Sequence, residues 1–199
     1  SDKNVERIAG ADRYGTSEMV AKRVVGITGK KNTGVVASGQ VFPDALSVGT
    51  FASREGYPIL LVKKDSVPSQ IQNAIKDLDI NKTYIAGGTN TISMSTEANL
   101  PNVVERMAGS TRYETSVAIA KSKFGASKEA YIASGEEFAD ALVISPVSGK
   151  YNRPTLLVST KEANNGPVRS YVKDSKISKL TAIGGQRYVP SSIVDRLVN

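Results

Sequence analysis

Short uninterrupted apolar runs alternate along the chain with longer stretches whose apolar residues recur every three or four positions. The first pattern fits strands buried on both faces, the second amphipathic helices. VERIAG (5–10) predicts a short strand, and ADRYGT leads into a helix over roughly 16–26, with Met19, Val20 and Val24 sharing a face. TGVVASG (33–39) is an apolar, β-branched run closed by Ser-Gly, hence a buried strand. The next helix starts at Pro43-Asp44 and stops at Gly56, a start and a stop signal in the expected order. PILLV (58–62) is a second strand. A helix within DSVPSQIQNAIKDL, with Ser66 as N-cap, then leads to a third strand in TYIAGG (83–88), and TISMSTEANL supplies a short helix. The second half repeats this order: AYIASG, DALVISPVSG, RPTLLV, NGPVRSYVKD, KLTAIGG and SSIVDRLVN. Strands apolar on both faces and separated by helices imply a parallel sheet covered on both sides.

The two halves also share sequence. ERIAGADRYGTS, from residue 6, returns as ERMAGSTRYETS from 105, and ASGQVFPDALS, from 37, returns as ASGEEFADALV from 133. YPILLV at 57 returns as RPTLLV at 153, and YIAGG at 84 as TAIGG at 181. This period is the length of a small domain and too long for a solenoid unit. The junction near Leu100-Pro101-Asn102 has no Gly/Ser linker. The expected architecture is therefore two tandem homologous Rossmann-like three-layer α/β modules, 1–101 and 102–199, packed against each other rather than tethered.

The duplication acts as an internal comparison. In an open parallel sheet the loops after the strand C-termini share one edge, where ligands usually bind. The recurring polar residues fall in those loops: Arg13-Tyr14 with Arg112-Tyr113, Ser38-Gly39 with Ser134-Gly135, Asp44 with Asp140, and Gly87-Gly88 with Gly184-Gly185. Each has a structural reading beside a binding one. Asp44 and Asp140 stand where a helix N-cap belongs. Arg13 and Arg112 could pair with those carboxylates or meet an anion. Tyr14 and Tyr113 could stack on a sugar or plug the loop base. The glycine pairs could admit a phosphate near a helix N-terminus or simply make a tight turn. Thr16 and Thr115 read as first-turn helix residues. The ILLV and TLLV segments read as buried central strands.

Composition narrows the chemistry. The chain of 199 residues has no cysteine and no histidine. That excludes thiol nucleophiles, disulfides, imidazole catalysis and Cys/His metal sites. One recurring acid per copy falls short of the carboxylate pair of a glycosidase and of an all-carboxylate metal site. No catalytic residue, metal or cofactor is therefore expected. The formal charge of +7 favours an anionic partner. The basic residues are scattered, with no stacking aromatics at the spacing of a nucleic-acid-binding sheet, so no nucleic acid is expected. No apolar run is long enough to insert in a membrane, and a secretion signal is absent or already removed.

ERIAGADRYGTS, ASGQVFPDALS, PILLV and YIAGG, with their counterparts, resemble the cell-wall-binding type 2 repeat of clostridial surface-layer and cell-wall proteins. The resemblance covers nearly the whole chain. It implies a secreted, surface-located protein held non-covalently on an anionic cell-wall polysaccharide or teichoic-acid-like polymer. It also implies a role in anchoring for the family's ILL motif, which falls on Ile59, Leu60 and Leu61. In the second copy Thr155 departs from the pattern ahead of Leu156 and Leu157. Such repeats usually come in threes, so a third homologous module in cis or in trans is an expected partner, and exposed inter-module surfaces should be apolar. On this reading Arg13 and Arg112 pair with polymer anions, Ser38, Ser134 and backbone amides hydrogen-bond the polymer, and Asp44 and Asp140 brace the loops. A wall-polymer hydrolase and a protein-interaction scaffold are the alternatives.

Overall fold

The computed structural model describes residues 5–198. Its elements run α1 (Arg13–Thr28), β1 (Thr33–Ser38), α2 (Pro43–Glu55), β2 (Ile59–Val62), α3 (Ser69–Asp77), β3 (Lys82–Ala86), α4 (Met94–Glu97) and β4 (Val103–Met107). They continue with α5 (Arg112–Phe124), β5 (Glu129–Ser134), α6 (Ala139–Lys150), β6 (Thr155–Val158), a 3-10 turn (Glu162–Asn164), α7 (Gly166–Asp174), β7 (Lys179–Ala182) and α8 (Ser191–Val198). The strands form two wholly parallel sheets, ordered β2-β1-β3-β4 and β6-β5-β7. The tandem α/β architecture legible in the sequence is thus present. The central strands β1 and β5 are buried almost end to end, which is why they lack alternation.

Local sequence sets the details. Asp12 caps α1 by accepting from Gly15 N at 2.8 Å, so the helix starts earlier than the periodicity suggested. Its buried residues include Tyr14, Ser17, Ala21 and Val25, whereas Met19 and Val20 are exposed. The small residues let the helix settle on the sheet and turn the larger ones outward. Ser66 does not cap α3: Pro68 holds the N-cap position in extended backbone, and no side chain caps the end. Asp44 and Asp140 do not occupy N-caps either. Phe42 and Phe138 already hold those positions, which leaves the carboxylates free to face neighbouring loops. Gly56 closes α2 with a φ of 73°, a left-handed turn that glycine adopts without strain.

The repeats share more than a contact. β4 opens the second copy in sequence, yet it pairs with β3 of the first sheet, in the register Tyr84↔Glu105, Ile85↔Arg106 and Ala86↔Met107. Gly87 N donates to Met107 O at 2.9 Å, and Arg106 bonds both Glu97 and the Gly87 carbonyl. The division at 101/102 stays our proposal for the repeat units, with hydrogen bonding carrying one strand across it. VERIAG, the counterpart of this segment, forms no strand: residues 5–10 are irregular, with no sheet beside them.

Helix packing completes the junction. α2 lies against both α5 and α6. A Cβ at Gly149 would sit 2.7 Å from Arg54 N, and one at Gly49 would sit 3.2 Å from Ser145 Oγ, so only small residues permit this approach of α2 and α6. Met107, Ile119 and Phe124 join Val48, Phe51 and Ala52 in a core that spans both repeats. Arg54 stacks over Phe124 at 4.6 Å and donates to Asn152 at 2.9 Å. The Phe42 and Phe138 rings meet edge to face, their centroids 5.7 Å apart.

This core generates a paired test. Ile119 is 1% exposed, and its first-copy counterpart Val20 is 41% exposed. Ile119→Ala should cost about 2–5 kcal/mol in chemical denaturation, and Val20→Ala within about 0.5 kcal/mol. Equal losses would contradict the shared core.

Candidate functional site

The C-terminal ends of β1, β3 and β4 open onto a groove of about 480 Å³ between the repeats. Its first wall is Val41, Pro43 and Asp44 at the start of α2, together with Gly88–Thr91 after β3. The opposite wall is Ala108–Thr111 after β4, with Arg112 and Thr115 from the start of α5. One repeat supplies each wall, so neither sequence copy contains the whole site.

Asp44 is the only acid lining the groove, and it is buried at 6% exposure. Its carboxylate accepts from Thr91 Oγ1 at 3.5 Å and interacts with the Thr115 hydroxyl and the Arg112 charge across the junction. Burial pushes its pKa above the ordinary carboxylate value, against the opposing pull of Thr115, Thr91 and Arg112. Thr115 Oγ1 meanwhile accepts from Gly109 N at 3.1 Å, fixing the corner between β4 and α5. Gly87, with a φ of 113°, leaves room for the carboxylate: a Cβ there would lie 2.5 Å from Asp44 Oδ2. Gly88 has no such need and faces the groove. Asp140 has the same relation to Gly184, where a Cβ would lie 2.3 Å from Asp140 Oδ2. Asp140 is only half-buried, since no loop equivalent to 108–112 covers it.

The remaining candidates divide clearly. Arg112 is exposed on the groove rim and donates to Gly135 O at 2.5 Å. Arg13 is exposed too and donates to Gly39 O. Neither arginine pairs with the carboxylate of its own copy. Tyr14 and Tyr113 are buried against Gly39 and Gly135, where a Cβ would lie 2.6 and 2.7 Å from the ring. They plug the loop base. Ser38 and Ser134 are buried, and each accepts from two amides of the following turn. Their place is to shape the loop. Leu60, Leu156 and Leu157 are fully buried core residues, and Ile59 and Leu61 are partly buried beside them. Gly184 and Gly185 are exposed in the second copy.

The structure therefore brings together Asp44, Gly88 and Arg112, and leaves Arg13, Asp140 and Gly184-Gly185 outside the groove lining. Thr89, Asn90, Thr91 and Ser110 belong to the groove but escape the duplication filter. Their counterparts are Gln186, Arg187, Tyr188 and Ala11. Their position in loops after β3 and β4 was the available signal. Among the described residues no cluster of three or more acidic, histidine or cysteine side chains could hold a metal ion.

The family model described as Cell wall binding domain 2 matches residues 7–97 and 106–194. The chain is 28% identical over 200 residues to an N-acetylmuramoyl-L-alanine amidase, LytC, of Bacillus subtilis, covering 99% of this chain and 39% of that protein. It is 30% identical over 198 residues to an amidase enhancer of the same organism, covering 98% and 26% respectively. Among solved structures, Cwp6 from Clostridium difficile superposes with a TM-score of 0.82 at 27% identity over 96% of this chain and 31% of that one. Cwp8 from the same organism gives 0.77 at 30% identity, over 96% and 33%. The chain thus spans well under half of each relative.

Two stability measurements probe the groove floor. Gly87→Ala meets both a left-handed backbone and the Asp44 carboxylate and should cost about 1–3 kcal/mol or more, with Gly88→Ala well below it. The second concerns pH. A carboxyl whose pKa is raised on folding contributes stability that is full below the unfolded value of about 4 and is lost as pH rises through the folded value. Asp44→Asn removes that titration. Its stability relative to the parent should therefore rise as pH climbs above the unfolded carboxylate value of about 4, and a flat difference would refute the buried, ionisable role.

Proposed function

The chain belongs to the cell wall binding domain 2 family, and from that premise we propose that it anchors an exported surface protein to an anionic cell-wall polymer through the inter-repeat groove. That the tandem repeats form a cell-wall-binding unit follows from the family. The polymer's charge, the place of binding and export are the proposed parts. The single observation that carries them is the placement of charge in the groove. Its one carboxylate is buried and turned toward Thr91 and Thr115, while Arg112 stands exposed on the rim. An approaching polyanion meets the arginine, the hydroxyls of Thr89, Ser110 and Thr111 and the Asn90 amide, all on the groove lining. Charge-assisted hydrogen bonds to an arginine are the strong ones. The net charge of +7 supports the same sign of ligand.

The arrangement suits binding better than hydrolysis. A glycosidase flanks one bond with two carboxyl groups, and this groove is lined by one, which is buried. Any catalytic activity belongs to parts of a parent protein beyond these repeats. The scaffold alternative has one observation in its favour. Leu142, Val143 and Val147 on α6, with Tyr151 at its C-cap, expose an apolar face, and Met19, Val20 and Ile27 expose another on α1. We assign both faces to a third homologous module, in cis or in trans, because α2 and α5 bury the corresponding faces where the two repeats meet.

Binding to isolated walls tests the anchor. Affinity should fall as salt rises and the screening length shrinks from about 10 Å at 0.1 M to about 3 Å at 1 M. It should vanish on walls stripped of anionic polymer with their peptidoglycan intact. Arg112→Ala should weaken binding about tenfold. Arg13→Ala removes the equivalent carbonyl bond but leaves the groove complete, so it should bind nearly as the parent does. Undiminished binding to stripped walls, or equal losses in the two variants, would overturn the proposal.

A further inference from the structure

The loops after β1 and β2 are neighbours, as are those after β5 and β6, because each pair of strands is hydrogen-bonded to its last residue. The two repeats fill these loops with opposite charge. Gln40, Val41, Lys63 and Lys64 in the first repeat stand where Glu136, Glu137, Ser159 and Thr160 stand in the second. The first set has two cations and no acid, the second two acids and no cation. In the second repeat one of those acids is used internally. Glu136 Oε1 accepts from Ser159 Oγ at 2.6 Å and its Oε2 from Thr160 Oγ1 at 3.1 Å, so a single carboxylate ties the two loops together. The buried Asn165 amide holds the same loop from beneath, bonding both Ser159 N and Ser159 O.

The first repeat ties its loops without a charge. Gln40 Oε1 accepts from Lys64 N at 2.8 Å, and Lys64 O accepts from Ser93 N at 2.9 Å and from Thr96 Oγ1 at 2.7 Å. The backbone of the loop is thus fixed, while Lys63 and Lys64 themselves stay exposed. Lys63 Nζ lies 5.6 Å from the centroid of the Tyr14 ring. Among the described residues neither ammonium group joins an ion pair, and Asp65, which follows them, pairs with neither. Two unpaired cations therefore belong to loops that, in the other repeat, close around a carboxylate. The fixed loop also reaches the groove. Ser93, which holds Lys64 O, is two residues beyond Thr91 of the groove wall, a span of at most about 7 Å.

We infer that Lys63 and Lys64 form a second oxyanion subsite, present on the first repeat alone, for the anionic polymer that the groove takes. The polymer's identity rests on the anchoring role proposed above; the charge difference between the loops does not. Glu136 shows what the subsite accepts, since in the second repeat an internal carboxylate meets the donors of the equivalent loop. In the first repeat that carboxylate is replaced by a neutral amide and the two hydroxyls by ammonium groups, so the anion has to come from outside. Lysine suits this task as a mobile point charge with three donors. The second repeat is closed to the same ligand, because its donors are already satisfied and Glu136 and Glu137 repel a further anion. A bound polymer therefore runs from the Arg112 rim toward the end of β2 and not toward β6. Contacts linked along one polymer reinforce each other through effective concentration.

Binding of the full chain to isolated walls, compared across three variants, tests the subsite. Lys63→Ser with Lys64→Thr installs the second repeat's residues and should weaken binding about three- to tenfold at low salt. Lys30→Ser with Lys31→Thr makes the same change of charge on two exposed lysines ahead of β1, at the opposite edge of the sheet, and should bind as the parent does. Gln40→Glu supplies the internal carboxylate of the second repeat. It should weaken binding about as much as loss of both lysines, although it alters the net charge half as much, and its thermal midpoint should not fall. Equal losses for the two lysine pairs, or parent-like binding by the Gln40→Glu chain, would overturn the inference. Arg112→Ala keeps this failure apart from that of the groove. A loss with Arg112→Ala alone leaves the groove standing without the subsite, and a loss with the Lys63 and Lys64 pair alone leaves the subsite standing without the groove.

Discussion

The parallel pairing of β4 with β3 is the bond on which the rest of the molecule depends. It takes a strand from the start of one repeat and makes it the edge of the preceding repeat's sheet. That single exchange fixes the placement of the second repeat, because β4 leads directly through the Gly109 corner into α5. α5 in turn buries Ile119 and Phe124 against α2. A backbone ladder plus a shared apolar core is a far stiffer joint than a linker, since strand register and side-chain packing must both fail before it opens.

The groove is a consequence of that joint. Asp44 has no value as a helix cap at its position, and its burial raises the cost of its charge. It is tolerated because Thr91 comes from its own repeat and Thr115 and Arg112 come from the next, so the carboxylate is satisfied only when the junction is closed. The same closure turns the arginine outward and lines the mouth with hydroxyl and amide groups. On the proposed reading, wall binding and inter-repeat assembly therefore draw on one set of contacts. The half-buried Asp140 shows the alternative, the same residue without its cover.

Much of this is legible in the sequence. The apolar runs gave the strands, their lack of alternation gave the parallel sheets, and the duplication pointed to the loops that form the groove floor. Three kinds of information were missing. Strand exchange leaves no local mark, because VERIAG and VERMAG look alike and differ only in having a neighbour. The buried face of α1 differs from the one its apolar spacing predicts, because Gly15, Ser17 and Ala21 carry little hydrophobic signal, although their small size is what seats the helix. Groove residues such as Asn90 and Ser110 do not recur, and a filter built on recurrence discards them. Conversely, recurrence retained Ser38, Tyr14 and Leu60 with their equivalents, whose repeated task is to shape loops and fill cores.

The most direct test of the account is amide chemical-shift mapping of the isotopically labelled chain with fragments of purified anionic wall polymer. The account predicts shifts concentrated at Gly88–Thr91 and Ala108–Arg112, on the two walls of the one closed junction, and weak at Ala9–Arg13 and Gly184–Arg187. Shifts centred on β2 and β6, or spread equally over the equivalent loops of both repeats, would contradict it.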